Sequence, residues 1–108
     1  MSITAEIAAL TAKHNVVETK SRDKYGRSVT ELRMSDRETN VRAIVVLVTL
    51  PKVAREADPT HAYLVNNWEK KHFEETCVWY FANRNEAKKF AIEELAASFE
   101  KKVAAAKK

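Results

Sequence analysis

Apolar and polar residues change period several times along this chain, and each change marks an element. Behind Ser2, the residues Ile3, Ile7 and Leu10 recur at helical spacing with Ala8, Ala9 and Ala12 beside them, which predicts a short helix ending near His14. A helix of that length is marginal alone in water and must pack on something. From Val16 the spacing turns to alternation: Val16, Val17 and Thr19, then Val29, Thr30, Leu32 and Met34, on either side of Lys24-Tyr25-Gly26-Arg27. This is the pattern of a β-hairpin, and Gly26, the sole glycine, stands where the loop needs a positive φ.

A polar break over residues 35–40 leads into residues 41–50, dense in β-branched side chains and apolar on both alternating faces from Ala43 onward. That predicts a central strand, which Pro51 ends by removing a ladder donor. Residues 52–60 are charged and read as a long connecting loop. The next stretch fits two patterns. Asp58 and Pro59 suit the start of a helix with Leu64, Val65, Trp68 and His72 on one stripe; alternatively, residues 62–68 form a strand that pairs with residues 76–82 across Glu69-Lys70-Lys71-His72. The strand is preferred, because Asn66-Asn67 is poor inside a helix and the aromatic run Cys77-Val78-Trp79-Tyr80-Phe81 needs a partner strand.

Asn83 and Glu86 have the spacing of a capping box, and behind them Ala91, Leu95, Phe99 and Val103 recur every fourth residue, widened by Ile92 and Ala96. A long helix over residues 84–103 is predicted, with residues 104–108 as a frayed basic tail. Together the elements predict an α+β fold: a mostly antiparallel four- to five-stranded sheet with a short N-terminal helix and a long C-terminal helix packed on it. At 108 residues the chain has room for one such domain, residues 1–108.

Composition narrows the function classes. A single Gly and two Pro argue against phosphate-cradling Gly-rich loops and loop-rich sandwiches. One cysteine cannot form an internal disulfide, and Cys77 within an apolar run reads as a buried, unreactive thiol in a reducing compartment. The first residues lack the basic and apolar segments of a secretory signal, and the longest apolar block is about half of what a membrane span requires. The expectation is a cytoplasmic protein with no membrane contact. The net charge of +4 is modest, but residues 20–42 carry seven bases (Lys20, Arg22, Lys24, Arg27, Arg33, Arg37, Arg42) against four acids. A second basic cluster is Lys101, Lys102, Lys107 and Lys108.

Catalytic chemistry finds little foothold. His14, His61 and His72 are scattered, without the short spacings of a zinc site, and Cys77 with His72 lacks an activating environment. The adjacent pairs Glu74-Glu75 and Glu93-Glu94 diverge rather than converge. No cofactor, metal or small-molecule substrate is expected. The aromatics are the sharpest cluster: Trp79 and Phe81 share one strand face with Cys77, and Tyr80 lies on the other. Tyr80, with Tyr63, Trp68 and Phe73, is therefore a candidate anchor patch for a protein partner. Against this stands the plainer expectation that the long helix covers one face of the sheet and the N-terminal helix the other. The basic hairpin 20–27, with Lys20, Arg22, Lys24, Tyr25 and Arg27, is the candidate phosphate-binding element, joined by Lys101 and Lys102.

The helix–strand–helix order resembles the α-β-β-β-α of the double-stranded-RNA-binding domain. That family, however, has a Gly-containing basic loop before its last helix, where this chain has Asn83-Arg84-Asn85-Glu86, with Lys88 and Lys89 alone near a comparable basic entrance. Membership is not assigned. The leading expectation is a non-catalytic module that recognises a protein partner through its aromatic sheet region or an exposed edge, as an accessory or inhibitory factor. The alternative is a DNA- or RNA-binding domain using the hairpin and the Lys-rich end.

Overall fold

The computed structural model describes residues 2–70 and 77–107. It contains α1 (Ile3–Lys13), β1 (Val17–Arg22), β2 (Ser28–Asp36), β3 (Val41–Thr49), α2 (Lys52–Ala57), β4 (Tyr63–Asn67), β5 (Val78–Phe81) and α3 (Arg84–Ala106). Short 3-10 turns occupy Pro59–His61 and Trp68–Lys70. The strands form one antiparallel meander in the order β1-β2-β3-β4-β5, so the fold is α+β with β3 at the centre of the sheet. The strand reading of residues 62–68 holds: Val65 pairs with Trp79 and Leu64 with Tyr80.

Local chemistry explains where the elements begin. Ser2 Oγ accepts from the Ala5 N–H at 3.2 Å, and Asn83 Oδ1 accepts from the Glu86 N–H at 3.1 Å, each satisfying an orphan donor at a helix start. At the hairpin tip, Asp23 Oδ1 accepts from the N–H groups of Tyr25 and Arg27, both at 2.9 Å, while Gly26 takes φ +78°. The β2–β3 turn is built alike: Asp36 Oδ2 accepts from the Thr39 hydroxyl at 2.6 Å, and Asn40 supplies the left-handed residue at φ 57°.

The core lies between one face of the sheet and α3. Leu32, Val45, Leu47 and Val65 come from the strands, Ala87, Ala91, Ile92 and Leu95 from α3, and Ile7 from α1. Each Leu or Ile so buried contributes about 1.5–3 kcal/mol. Three alanines on the inner stripe of α3 (Ala87, Ala91, Ala96) let the helix approach the sheet closely. One buried polar pair crosses this layer, where Asn67 Nδ2 donates to Ser98 Oγ at 3.0 Å.

Four expectations are corrected. Residues 52–60 are not a plain loop, since Pro51 opens α2 and Asp58 caps the adjoining 3-10 turn by accepting from the Thr60 N–H. The helix α3 continues to Ala106, beyond the expected stop at Val103, because alanines sustain helix without needing a packing partner. The N-terminal helix does not cover the second face of the sheet; α1 lies beside α3 and adds Ile7 to the same core. Cys77 is half-buried just ahead of β5, and β5 is an edge strand, so the thiol is not in the sheet interior. The expected turn residues Lys71 and His72, together with Phe73, Glu74, Glu75 and the start of the strand at Thr76, lie outside the described residues.

Candidate nucleic-acid interface

In an antiparallel meander the β1–β2 tip, the end of β3, the start of β4 and the exit of β5 all fall at the same end of the sheet. The register makes this explicit: Ser28 pairs with Thr49, Thr49 with Tyr63, and Tyr63 with Phe81. Separate segments therefore deliver cations to one place: Lys20, Arg22, Lys24 and Arg27 from the hairpin, Lys52 and Arg55 from α2, and Arg84 from the first position of α3. Two clefts open there. The larger, of about 570 Å³, is lined by Lys20, Arg22, Ser28, Thr30, Thr49, Tyr63 and Arg84 among others. The smaller, of about 320 Å³, lies between the hairpin tip and α2 and is lined by Arg22, Arg27, Ser28, Thr49, Lys52 and Arg55.

Partners of these cations decide what they are free to do. Arg27 is paired with Asp23 at 2.6 Å, and Lys52 stands 3.8 Å from Glu56. Burial opposes ionisation of Asp23, but hydrogen bonds from Arg27 and Tyr25 outweigh it and hold its carboxyl below the ordinary value. Arg22 donates from Nη1 to the Gly26 carbonyl at 3.0 Å, and Arg55 from Nε to the Leu50 carbonyl at 2.9 Å, which leaves their remaining guanidinium donors available. Among the described residues, no carboxylate pairs with Lys20 or Arg84. Nearby Glu18 is taken by Lys88 at 3.1 Å, and Glu86 sits in the first turn of α3. At the tip, Tyr25 is 69% exposed, with Lys24 Nζ 5.1 Å and Arg27 Cζ 5.4 Å from its ring centre.

The other basic residues expected at this site stand elsewhere. Lys101 and Lys102 are near the far end of α3, about 27 Å from Arg84 along the helix at the standard rise. Lys102 is also spent. Its ammonium donates to Glu69 Oε2 at 2.9 Å and to the Arg42 carbonyl, while Glu69 Oε1 accepts from the Ile44 N–H at 2.9 Å. Among the described residues β4 ends opposite Val45, and beyond it these two side chains take the place of a strand at the Ile44 N–H and the Arg42 carbonyl.

The aromatic candidates are divided between environments. Trp79 and Phe81 face α3 and enclose Phe90, with ring centres 4.9 and 5.2 Å away. Tyr63 is on that same side, half-buried against the core, so it does not join Tyr80 in one anchor patch. Tyr80 is on the opposite face, 48% exposed, with its ring 4.8 Å from that of His61. Trp68 is 42% exposed after β4, and Phe73 is outside the described residues.

No protein-family model, curated protein or solved structure matches this chain.

One constellation escaped the sequence reading. Asp58, Thr60 and His61 are mutually bonded in the 3-10 turn, with Asp58 Oδ2 2.8 Å from His61 Nδ1 and Thr60 Oγ1 2.9 Å from the same nitrogen. A hydrolytic triad needs the acid and the nucleophile on opposite ring nitrogens, so this arrangement is a cap. The Thr60 hydroxyl, then the charge of His61, hold the Asp58 carboxyl below its ordinary value. Among the described residues, no group of three His, Cys, Asp or Glu side chains is placed to hold a metal ion, and no helix is long and apolar enough to cross a membrane.

Arg84, Lys52, Arg55, Thr30 and Thr49 were not among the site candidates read from the sequence, yet they line the clefts. A signal for them existed in the strand order, because a meander brings alternate connections to one end.

Proposed function

We propose that this protein is a small nucleic-acid-binding module that binds rather than turns over its ligand and holds backbone phosphates at the hairpin end of its sheet. One observation carries the reading: cations from separate segments converge around two adjoining clefts, and two of them, Lys20 and Arg84, have no carboxylate partner among the described residues. Hydroxyls of Ser28, Thr30 and Thr49 add neutral donors of the kind that fix phosphate position. Titration of a fluorescently labelled oligonucleotide, tracked by anisotropy at two salt concentrations, tests it. Saturable binding that weakens in the Arg22→Ala, Arg84→Ala double variant supports the reading; no binding at low salt overturns it.

A second reading has its own observation. Tyr80, on the face away from α3, and Trp68 leave large aromatic surface exposed, which favours contact with a protein partner. Under that reading, a partner captured from nuclease-treated lysate is lost by Tyr80→Ala and kept in high salt.

A further inference from the structure

The two basic clefts share one lining ridge. Arg22, Ser28 and Thr49 border both, with Lys20 and Arg84 beyond it on one side and Arg27, Lys52 and Arg55 on the other. An isolated anion needs one such recess, whereas two adjoining recesses with a shared guanidinium suit consecutive phosphates of one chain. From this continuity we infer that the ligand is single-stranded nucleic acid, threaded through both clefts, and that duplex is disfavoured; the inference rests on the nucleic-acid reading above.

The lining of the larger cleft bears on the distinction. Its lining includes Thr30, which is more than nine-tenths buried and whose hydroxyl has no side-chain partner among the described residues, and the half-buried ring of Tyr63. A duplex is a stiff rod, with a persistence length of about 50 nm, and presents its phosphates on a convex surface. Such a surface meets exposed cations more readily than the hydroxyl of a residue as buried as Thr30. A single strand bends at each nucleotide and carries unstacked rings that can lie on an aromatic face.

The hairpin tip points the same way. A two-stranded ribbon can enter the major groove of a duplex, which requires its side chains to be aimed outward at base edges. Here Arg27 is folded back onto Asp23, and Arg22 is turned toward the two clefts with one donor on the Gly26 carbonyl. The most exposed large hydrophobic side chain there is Tyr25, whose ring, with Lys24 Nζ and Arg27 Cζ within 5.4 Å of its centre, is a surface that an unpaired base can stack upon.

The test uses the full chain and one 15-nucleotide sequence as single-stranded DNA, single-stranded RNA and DNA duplex, titrated at low salt. Both single strands are expected to bind at least about 10-fold more tightly than the duplex. Replacing Tyr25 by Ala is expected to weaken single-strand binding by about 5- to 20-fold, within the range for loss of one base-stacking contact, and to leave weak duplex binding unchanged. Thr30→Val, which keeps the side-chain shape, is expected to weaken single-strand binding by a few-fold, with unchanged thermal melting as its folding control. A preference for DNA over RNA, or the reverse, identifies which single strand the site takes and supports the inference in either case. Duplex binding equal to or tighter than single-strand binding overturns the inference and leaves the nucleic-acid reading standing, and so does indifference of the single strands to both substitutions. Failure of all three ligands to bind overturns both.

Discussion

At the hairpin end of the sheet, Lys20 and Arg84 have no carboxylate partner among the described residues, whereas at the far end Lys102 is held 2.9 Å from Glu69 and bonded to the Arg42 carbonyl. Similar side chains thus serve different ends. Cations arriving from separate strands and helices at the mouth of a recess keep unused donors, and a cation beside an unfinished strand is consumed in completing it. Sequence position alone hides this difference, since both groups read as basic clusters.

The comparison breaks most readily at the hairpin end. Removing Arg22 and Arg84 together is expected to cost more than about 10-fold in oligonucleotide affinity, because hydrogen bonds to charged groups are worth about 1.5–3 kcal/mol each. With about three phosphates engaged, raising salt from 50 to 200 mM is expected to weaken single-strand binding by about 20-fold, read by anisotropy. Equal sensitivity of binding to Lys101→Ala would erase the distinction between the ends.

At the far end the expected effect is on stability. Glu69→Ala leaves the Ile44 N–H without its acceptor and is expected to lower unfolding free energy by about 1–3 kcal/mol in urea melts, with oligonucleotide affinity unchanged. Glu69→Gln, which retains an acceptor oxygen, recovers most of the loss. A fall in affinity with no fall in stability would reverse the roles assigned to the two ends.

A smaller change is expected at the hairpin tip itself. Gly26→Ala is strained by the φ of +78° and not by crowding, since an added Cβ would meet nothing within 4 Å. Its cost is about 1–2 kcal/mol. Acid acts more gently still. Because the Asp23 carboxyl titrates below its ordinary 3.8, its hydrogen bonds are fully in place above that pH and are lost as the pH falls through the lowered value. The Tyr25 and Arg27 amide signals are expected to shift in NMR spectra only below pH 3.8. Asp36, held low by the Thr39 hydroxyl and then its N–H, behaves alike at the opposite turn.

Much of the architecture was legible because it is written locally. Alternation in Val29, Thr30, Leu32 and Met34, the lone Gly26, and the Asn83 cap each report short-range geometry. The candidate site was legible only in its hairpin component. Arg84 and Thr49 meet Lys20 through register, a property of the assembled sheet that no local pattern encodes. The position of Lys102 was hidden for the same reason: its partners Glu69 and the Arg42 carbonyl lie 33 and 60 residues away in the chain. Residues 52–57 looked like loop because their charges conceal a single solvated helical turn and a half.

The stand-in rung made by Glu69 and Lys102 also bears on how the protein stays apart from its own copies. The stretch it covers, Val41 to Ile44, is β-branched at both ends and would recruit another chain edge to edge if its backbone groups were bare. Two charged side chains satisfy the Ile44 N–H and the Arg42 carbonyl without offering a new ladder to extend, the kind of blunting that keeps strand edges from pairing between chains. Ending α3 before Lys102 would bare the Arg42 carbonyl while leaving the buried stripe from Ala87 to Ser98 in place.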